Sequence, residues 1–97
     1  NKTFCYCISK YPTSLGEINW NEAKKFDGFS DHTFGIIAPM VFAVIKKQSK
    51  AKKIIIEKHV KLKNSKGPDA STSITTEQLK ELTSQIRIIE KIKFEKL

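Results

Sequence analysis

Two stretches decide how this chain reads: GFSDHTFG (28–35) and IIIEKHV (54–60). Each runs from strand-compatible residues into a polar cluster that holds one histidine, His32 or His59. With Lys52 and Lys53 in front of it, IIIEKHV is the strongest strand signal in the chain. It is β-branched, bounded by lysines and apolar on both faces, as strands of a parallel sheet are. Side chains alternate along a strand, so Ser30 and His32 share one face, and Glu57 and His59 share one face. A third segment, TFCYCI (3–8), is aromatic and apolar and reads as a buried strand, with Ser9 and Tyr11 as the polar pair at its end. All three pairs fall at the carboxyl end of a strand. In parallel α/β folds ligands bind at that edge, because βα loops and helix N-termini converge there.

Between the strands the sequence calls for helices. YPTSLGEINW carries Pro12 and Gly16 and reads as a loop leading into a short helix near Ile18 to Phe26. IIAPMVFAVIKKQSK (36–50) reads as a helix, apolar almost all round at first, with Pro39 admissible only in its first turn and lysines at its negative end. KLKNSKGPDAS (61–71) is a loop. The clearest helix start follows: Thr75 is a good N-cap and Gln78 completes a capping box. Leu79, Leu82, Ile86 and Ile89 keep helical spacing, which predicts one amphipathic helix from 76 to 97. The order strand, helix, strand, helix, strand, loop, helix predicts an α/β fold of repeated βα units with parallel strands and right-handed crossovers.

The chain has 97 residues, a hydrophobic fraction of 39% and a net charge of +8. This bounds it to one domain with a modest core. Every basic residue but Arg87 is a lysine. Base readout and bidentate phosphate contacts favour arginine, and stacking platforms among the lysines are missing, so no nucleic-acid partner is expected. The longest apolar run, Ile36 to Ile45, is too short to cross a bilayer, and no signal-peptide pattern is present. Cys5 and Cys7 are too sparse for a zinc site and poorly spaced for a disulfide; buried reduced thiols in a cytoplasmic protein are expected. An opening at Asn1 rather than methionine hints at a fragment.

Local chemistry leaves several readings open. A histidine at a strand end can be a structural hydrogen bonder. Two at equivalent ends of adjacent strands, beside Glu57, also suit a divalent ion (Mn²⁺, Mg²⁺ or Zn²⁺) or general acid/base work. Asp31 and Lys58 alternate to the other face. Asp31 reads as an N-cap or loop tie, and Lys58 as a residue of the helix layer beside Ile54 and Ile56. Asp69, in SKGPDAS, is either a turn residue or a ligand for a sugar hydroxyl.

SKYPT, GFSDHTFGI, IIIEKHV and KGPD, in this order and followed by a helix of the EQLKEL kind, resemble the sialic acid synthases. That family includes the N-acetylneuraminate, pseudaminic, legionaminic and spore-coat polysaccharide synthases. The resemblance runs over nearly the whole chain and implies a TIM barrel, of which these motifs are the last three strands. It implies that phosphoenolpyruvate condenses with an N-acylated amino sugar such as N-acetylmannosamine, with addition of water and loss of inorganic phosphate. It implies a divalent metal, Mn²⁺ or Mg²⁺, on His32 and His59, with Glu57 as the catalytic carboxylate beside it. Ser9 and Ser30 would contact phosphoenolpyruvate; Tyr11 and Asp69 would contact the amino sugar.

The chain also departs from the family pattern. Many members carry asparagine where Ser9 stands, and the segment between YPT and GFSDH is short. IKKQSKAKK replaces a small Leu-Gly-Ala link, which predicts that the second helix runs further. Strands one to five and the antifreeze-like domain lie outside these 97 residues, so the chain alone is expected to be inactive and to form a homo-oligomer through its strand edges. The alternative is a non-catalytic metal- or sugar-binding remnant that self-associates.

Overall fold

The structure is a computed structural model that describes residues 2–62 and 72–95. Three strands, β1 (Cys5–Cys7), β2 (Gly28–Asp31) and β3 (Ile55–Lys58), form one parallel sheet in the order β1-β2-β3. A single turn of 3₁₀ helix (Leu15–Glu17) and helix α1 (Trp20–Ala23) connect β1 to β2. Helix α2 (Ile37–Gln48) connects β2 to β3, and α3 (Thr76–Ile89) closes the order. The alternation of strands and helices is therefore the expected one.

The register fixes which side chains share a face. Cys5, Gly28 and Ile55 form one rung, Tyr6, Phe29 and Ile56 the next, and Cys7, Ser30 and Glu57 the third. Odd rungs face one way and the middle rung the other. The helices cover the face of the middle rung. Ile18, Ala23, Phe29, Ala38 and Phe42 make the core there, with Tyr6, Ile8, Trp20, Ile54 and Ile56 packed against them. Phe29 is its hub, stacked on Phe42, Trp20 and Tyr6 at centroid distances of 5.2, 5.6 and 6.1 Å. Burying such a ring stabilises the fold by about 1.5–3 kcal/mol, plus about 0.5–1.5 kcal/mol per well-placed aromatic pair. The helix layer is thus held to the central strand.

Four expectations need correction. The first strand is three residues long, and Cys5 and Cys7 are free thiols but exposed, not buried, because both point away from the helix layer. The second helix runs four residues into the lysine-rich link and stops at Gln48, two residues short of the expected end at Lys50. Lys50 takes a left-handed conformation (φ 60°), Ala51 N–H donates to the Lys46 carbonyl and Lys50 N–H to the Lys47 carbonyl. That is a Schellman closure with lysine where glycine is usual. The last helix stops at Ile89, short of the predicted 97, as the apolar pattern changes from helical spacing to the two-residue step of Ile92 and Phe94. Lys46, one of the lysines of that link, is buried. Its Nζ donates to the Lys24 carbonyl at 2.9 Å and so places a cation at the C-terminus of α1. The capping box of α3 is as expected: the Thr75 hydroxyl accepts from Gln78 N–H at 3.1 Å, and Gln78 Oε1 accepts from Thr75 N–H at 2.9 Å.

Candidate functional site

The first two residues of SDH pair with the first two of EKH. Ser30 stands opposite Glu57 and Asp31 opposite Lys58, both at an offset of 27 residues, and the same offset carries His32 to His59. Each rung is joined through its side chains, on alternating faces. On the face away from the helices, Ser30 Oγ donates to Glu57 Oε1 at 2.6 Å. On the helix face, the Lys58 ammonium lies 2.8 Å from Asp31 Oδ2. Just beyond the ends of the two strands, the rings of His32 and His59 approach to 6.2 Å between centroids. The two motifs recur because each supplies one half of the same two rungs and one of the two facing histidines.

The Asp31–Lys58 rung is the anchor. Asp31 and Lys58 side chains are 0% and 2% exposed. Asp31 Oδ1 accepts from the Thr33 N–H at 2.9 Å and from the Thr33 hydroxyl at 2.7 Å, and Lys58 Nζ also donates to the Thr33 carbonyl. Two buried charges are tolerable when they are paired and hydrogen-bonded to their surroundings, as here. The expectation that Asp31 ties the loop after its strand and that Lys58 faces the helix layer therefore holds. Their ion pair was not anticipated.

Tyr11 reaches the site from a loop. Lys10 N–H donates to the Ile8 carbonyl at 2.8 Å, and this tight turn ends the strand alternation before Ser9 and Tyr11. The two residues therefore do not continue a strand face. Instead Tyr11 folds over His32, stacked at 4.1 Å, with its hydroxyl 3.0 Å from Nε2. The Tyr11–Pro12 peptide is cis, and Thr13 N–H donates to the His32 carbonyl at 2.9 Å, so YPT is fastened to the SDH strand. Ser9 is exposed and takes no part in these contacts. Asp69 lies outside the described residues.

His32 Nδ1 lies 2.8 Å from the Ile8 carbonyl oxygen. A carbonyl only accepts, so Nδ1 carries the proton and Nε2 keeps the lone pair. A histidine oriented through one nitrogen by a backbone carbonyl is the usual setting of a metal ligand. His59 is exposed beside it. Among the described residues no three His, Cys, Asp or Glu side chains gather into a cluster that could hold a metal ion. The donor chemistry fits a divalent ion held by two imidazoles, with its remaining positions open to water and substrate. Cys7 Sγ, 3.9 Å from His32 Nδ1, lines the same corner, a neighbour that the two-residue spacing of the cysteines could have suggested. Partial desolvation by its neighbours, though the residue is exposed, raises the Cys5 thiol above its ordinary pKa, helped by the charges of Glu57 and Cys7.

Comparison with known proteins places the chain among relatives. The chain is 39% identical over 95 residues to an uncharacterized protein of Methanocaldococcus jannaschii, covering 90% of this chain and 26% of that protein. It is 36% identical over 99 residues to the N,N'-diacetyllegionaminic acid synthase of Campylobacter jejuni, covering 94% of this chain and 28% of the synthase. It is 33% identical over 95 residues to the enzyme of that name from Legionella pneumophila, covering 90% and 25%. The chain thus spans about a quarter of the length of the curated relatives it matches. No solved structure matches it. The family model of the NeuB family matches residues 1–96, and the chain belongs to that family.

Proposed function

We propose that the chain is the metal-holding part of a sialic (nonulosonic) acid synthase barrel, in which phosphoenolpyruvate condenses with an N-acylated amino sugar and releases inorganic phosphate. The observation that carries this reading is the pairing of Ser30 with Glu57 and Asp31 with Lys58, with the His32 and His59 rings close together just beyond. It brings Ser30, Glu57, His32 and His59 to the carboxyl end of two adjacent parallel strands. Two relatives, the N,N'-diacetyllegionaminic acid synthases of Campylobacter jejuni and Legionella pneumophila, support the same reaction class. No helix among the described residues is long and apolar enough to cross a membrane. We assign the reaction to the cytoplasm, where free thiols such as Cys5 and Cys7 stay reduced.

In this reading His32 and His59 hold the Mn²⁺ or Mg²⁺ ion. When bound, the ion supplies Lewis-acid polarisation of the sugar aldehyde. Glu57 sits two residues before His59, on the same face of its strand. It accepts a hydrogen bond from Ser30, and its carboxylate can orient a sugar hydroxyl or take a proton from attacking water. The Ser30 hydroxyl, held by Glu57, can turn to a phosphate oxygen of phosphoenolpyruvate. Ser9 would add a second such contact on reorientation of its loop. Tyr11 and Asp69 would meet the amino sugar.

A chimera tests the reading. This chain replaces the corresponding quarter of the Campylobacter jejuni synthase, and phosphate release from phosphoenolpyruvate is followed with the acceptor sugar of that enzyme and Mn²⁺. Turnover is expected, with loss of about 10²-fold or more on His32→Ala or His59→Ala. A folded chimera that releases no phosphate overturns the assignment. The chain by itself is expected to release none, since a barrel site draws its groups from several strand ends.

A further inference from the structure

His32 has one ring nitrogen that is committed and one with a choice of partners. With Nδ1 donating to the Ile8 carbonyl, Nε2 of the neutral ring is an acceptor, and the Tyr11 hydroxyl, 3.0 Å away, donates to it. The phenol is held there from two sides. Its ring stacks on the imidazole, and its loop is fastened through Thr13, whose N–H donates to the His32 carbonyl and whose hydroxyl donates to the Lys10 carbonyl. The one lone pair through which His32 can hold an ion is thus taken by a side chain of the same protein.

We propose that Tyr11 is a partner-switching residue that sets the order of binding at this site. Its hydroxyl caps His32 Nε2 until a divalent ion takes that nitrogen, and the displaced hydroxyl is then available to the amino sugar. This rests on the reading above, in which His32 and His59 hold the ion and Tyr11 meets the sugar. A lone pair serves one partner at a time, so ion and phenol compete. By linkage, whatever weakens the phenol contact strengthens the ion by the same factor. The ion precedes the sugar, because the sugar's hydrogen-bonding partner is engaged until the ion arrives. Tyr11 is 47% exposed, so its ring can leave the imidazole without opening the core. His59, 6.2 Å from His32, can contribute its own nitrogen without this competition.

The test compares the chain with its Tyr11→Phe variant, which keeps the stacked ring and removes only the hydroxyl. Mn²⁺ binding is titrated by water-proton relaxation, and the metal-free His32 ring nitrogens are observed by ¹⁵N NMR. Tyr11→Phe is expected to bind Mn²⁺ roughly two- to tenfold more tightly, the equivalent of one net hydrogen bond removed from the competing state. The Nε2 resonance of the metal-free variant is expected to move to the position of an acceptor that has lost its donor. Mn²⁺ affinity that is equal or weaker in Tyr11→Phe overturns the switch and leaves the ion site standing. An unchanged Nε2 resonance shows that the cap does not form, and overturns it as well. Absence of Mn²⁺ binding in both chains overturns the switch together with the two-histidine reading.

Discussion

At the scale of single residues, Lys50 shows how a helix can end without the residue that chemistry prefers there. A left-handed backbone costs an L-residue roughly 1–2 kcal/mol because Cβ crowds the following carbonyl, and glycine escapes that cost. The Schellman bonds from Lys50 and Ala51 hold the conformation in place regardless. Lys50→Gly is therefore expected to stabilise the chain by about 1 kcal/mol, a rise of about 4–8 °C in the midpoint of a thermal melt. A lowered midpoint would refute the strain argument. Cys5 supports a second prediction. Partial desolvation, then the Glu57 carboxylate, then Cys7 hold its thiol in the neutral form to a higher pH than an ordinary cysteine. Its alkylation by iodoacetamide, followed by mass spectrometry, should rise with pH later than that of a model thiol. Glu57→Gln removes one of the opposing charges and should shift the profile toward lower pH; a profile unmoved by the substitution would exclude the charge as a cause.

At the scale of elements, the β2–β3 ladder depends on a buried charge pair where an apolar pair would have served packing alone. Removing one partner leaves the other charge buried and unpaired, so Lys58→Met is expected to cost about 3–5 kcal/mol in urea unfolding. Asp31→Asn on top of it removes the stranded charge and should restore part of that loss. A double variant as unstable as the sum of the two single ones would argue against direct coupling. These elements also show what a single sequence discloses. Alternation told which face Asp31 and Lys58 take, since that depends only on position within a strand. Their pairing stayed hidden, because it depends on register, and register is set by how α2 returns the chain to the sheet. The polar ends of β2 and β3 were legible for the same reason that Tyr11 was misplaced: the strand period holds through His32, but a tight turn at Ile8–Lys10 breaks it before Ser9. The end of α2 was misread because the Schellman glycine is replaced by lysine, which carries no stop signal. The end of α3 was signalled, by the change of apolar spacing at Ile92 and Phe94, and missed under the stronger helical run before it.

At the scale of the whole molecule, the sheet has one face under helices and one face on which Cys5, Cys7 and Glu57 are exposed. Its two outer strands differ in how open they are. Beside β3 the chain returns: Val60 pairs in parallel with Ile74, Ile74 N–H donates to the His59 carbonyl and Lys61 N–H to the Ile74 carbonyl. That leaves β1 as the better-exposed edge, next to Phe4, which is 65% exposed. An open edge flanked by an exposed aromatic invites another strand. We therefore propose that these 97 residues on their own pair as two copies through β1, an edge that within the barrel of the proposed function would meet the preceding strand. A two-fold axis makes the pairing antiparallel, and a register centred on Tyr6 sets Cys5 opposite Cys7 of the second copy. The net charge of +8 opposes this association most at low ionic strength. Screening within a Debye length of about 8 Å near physiological salt relieves it, so dimerisation should strengthen as salt is added. Sedimentation velocity at tens of micromolar should show a dimer whose share grows with salt. Mild oxidation should convert it to a disulfide-linked species, seen on a non-reducing gel and absent when Cys5→Ser and Cys7→Ser are combined. A monomer at all salt concentrations would remove the β1 edge as an interface. A dimer that never cross-links would place the contact elsewhere on the molecule.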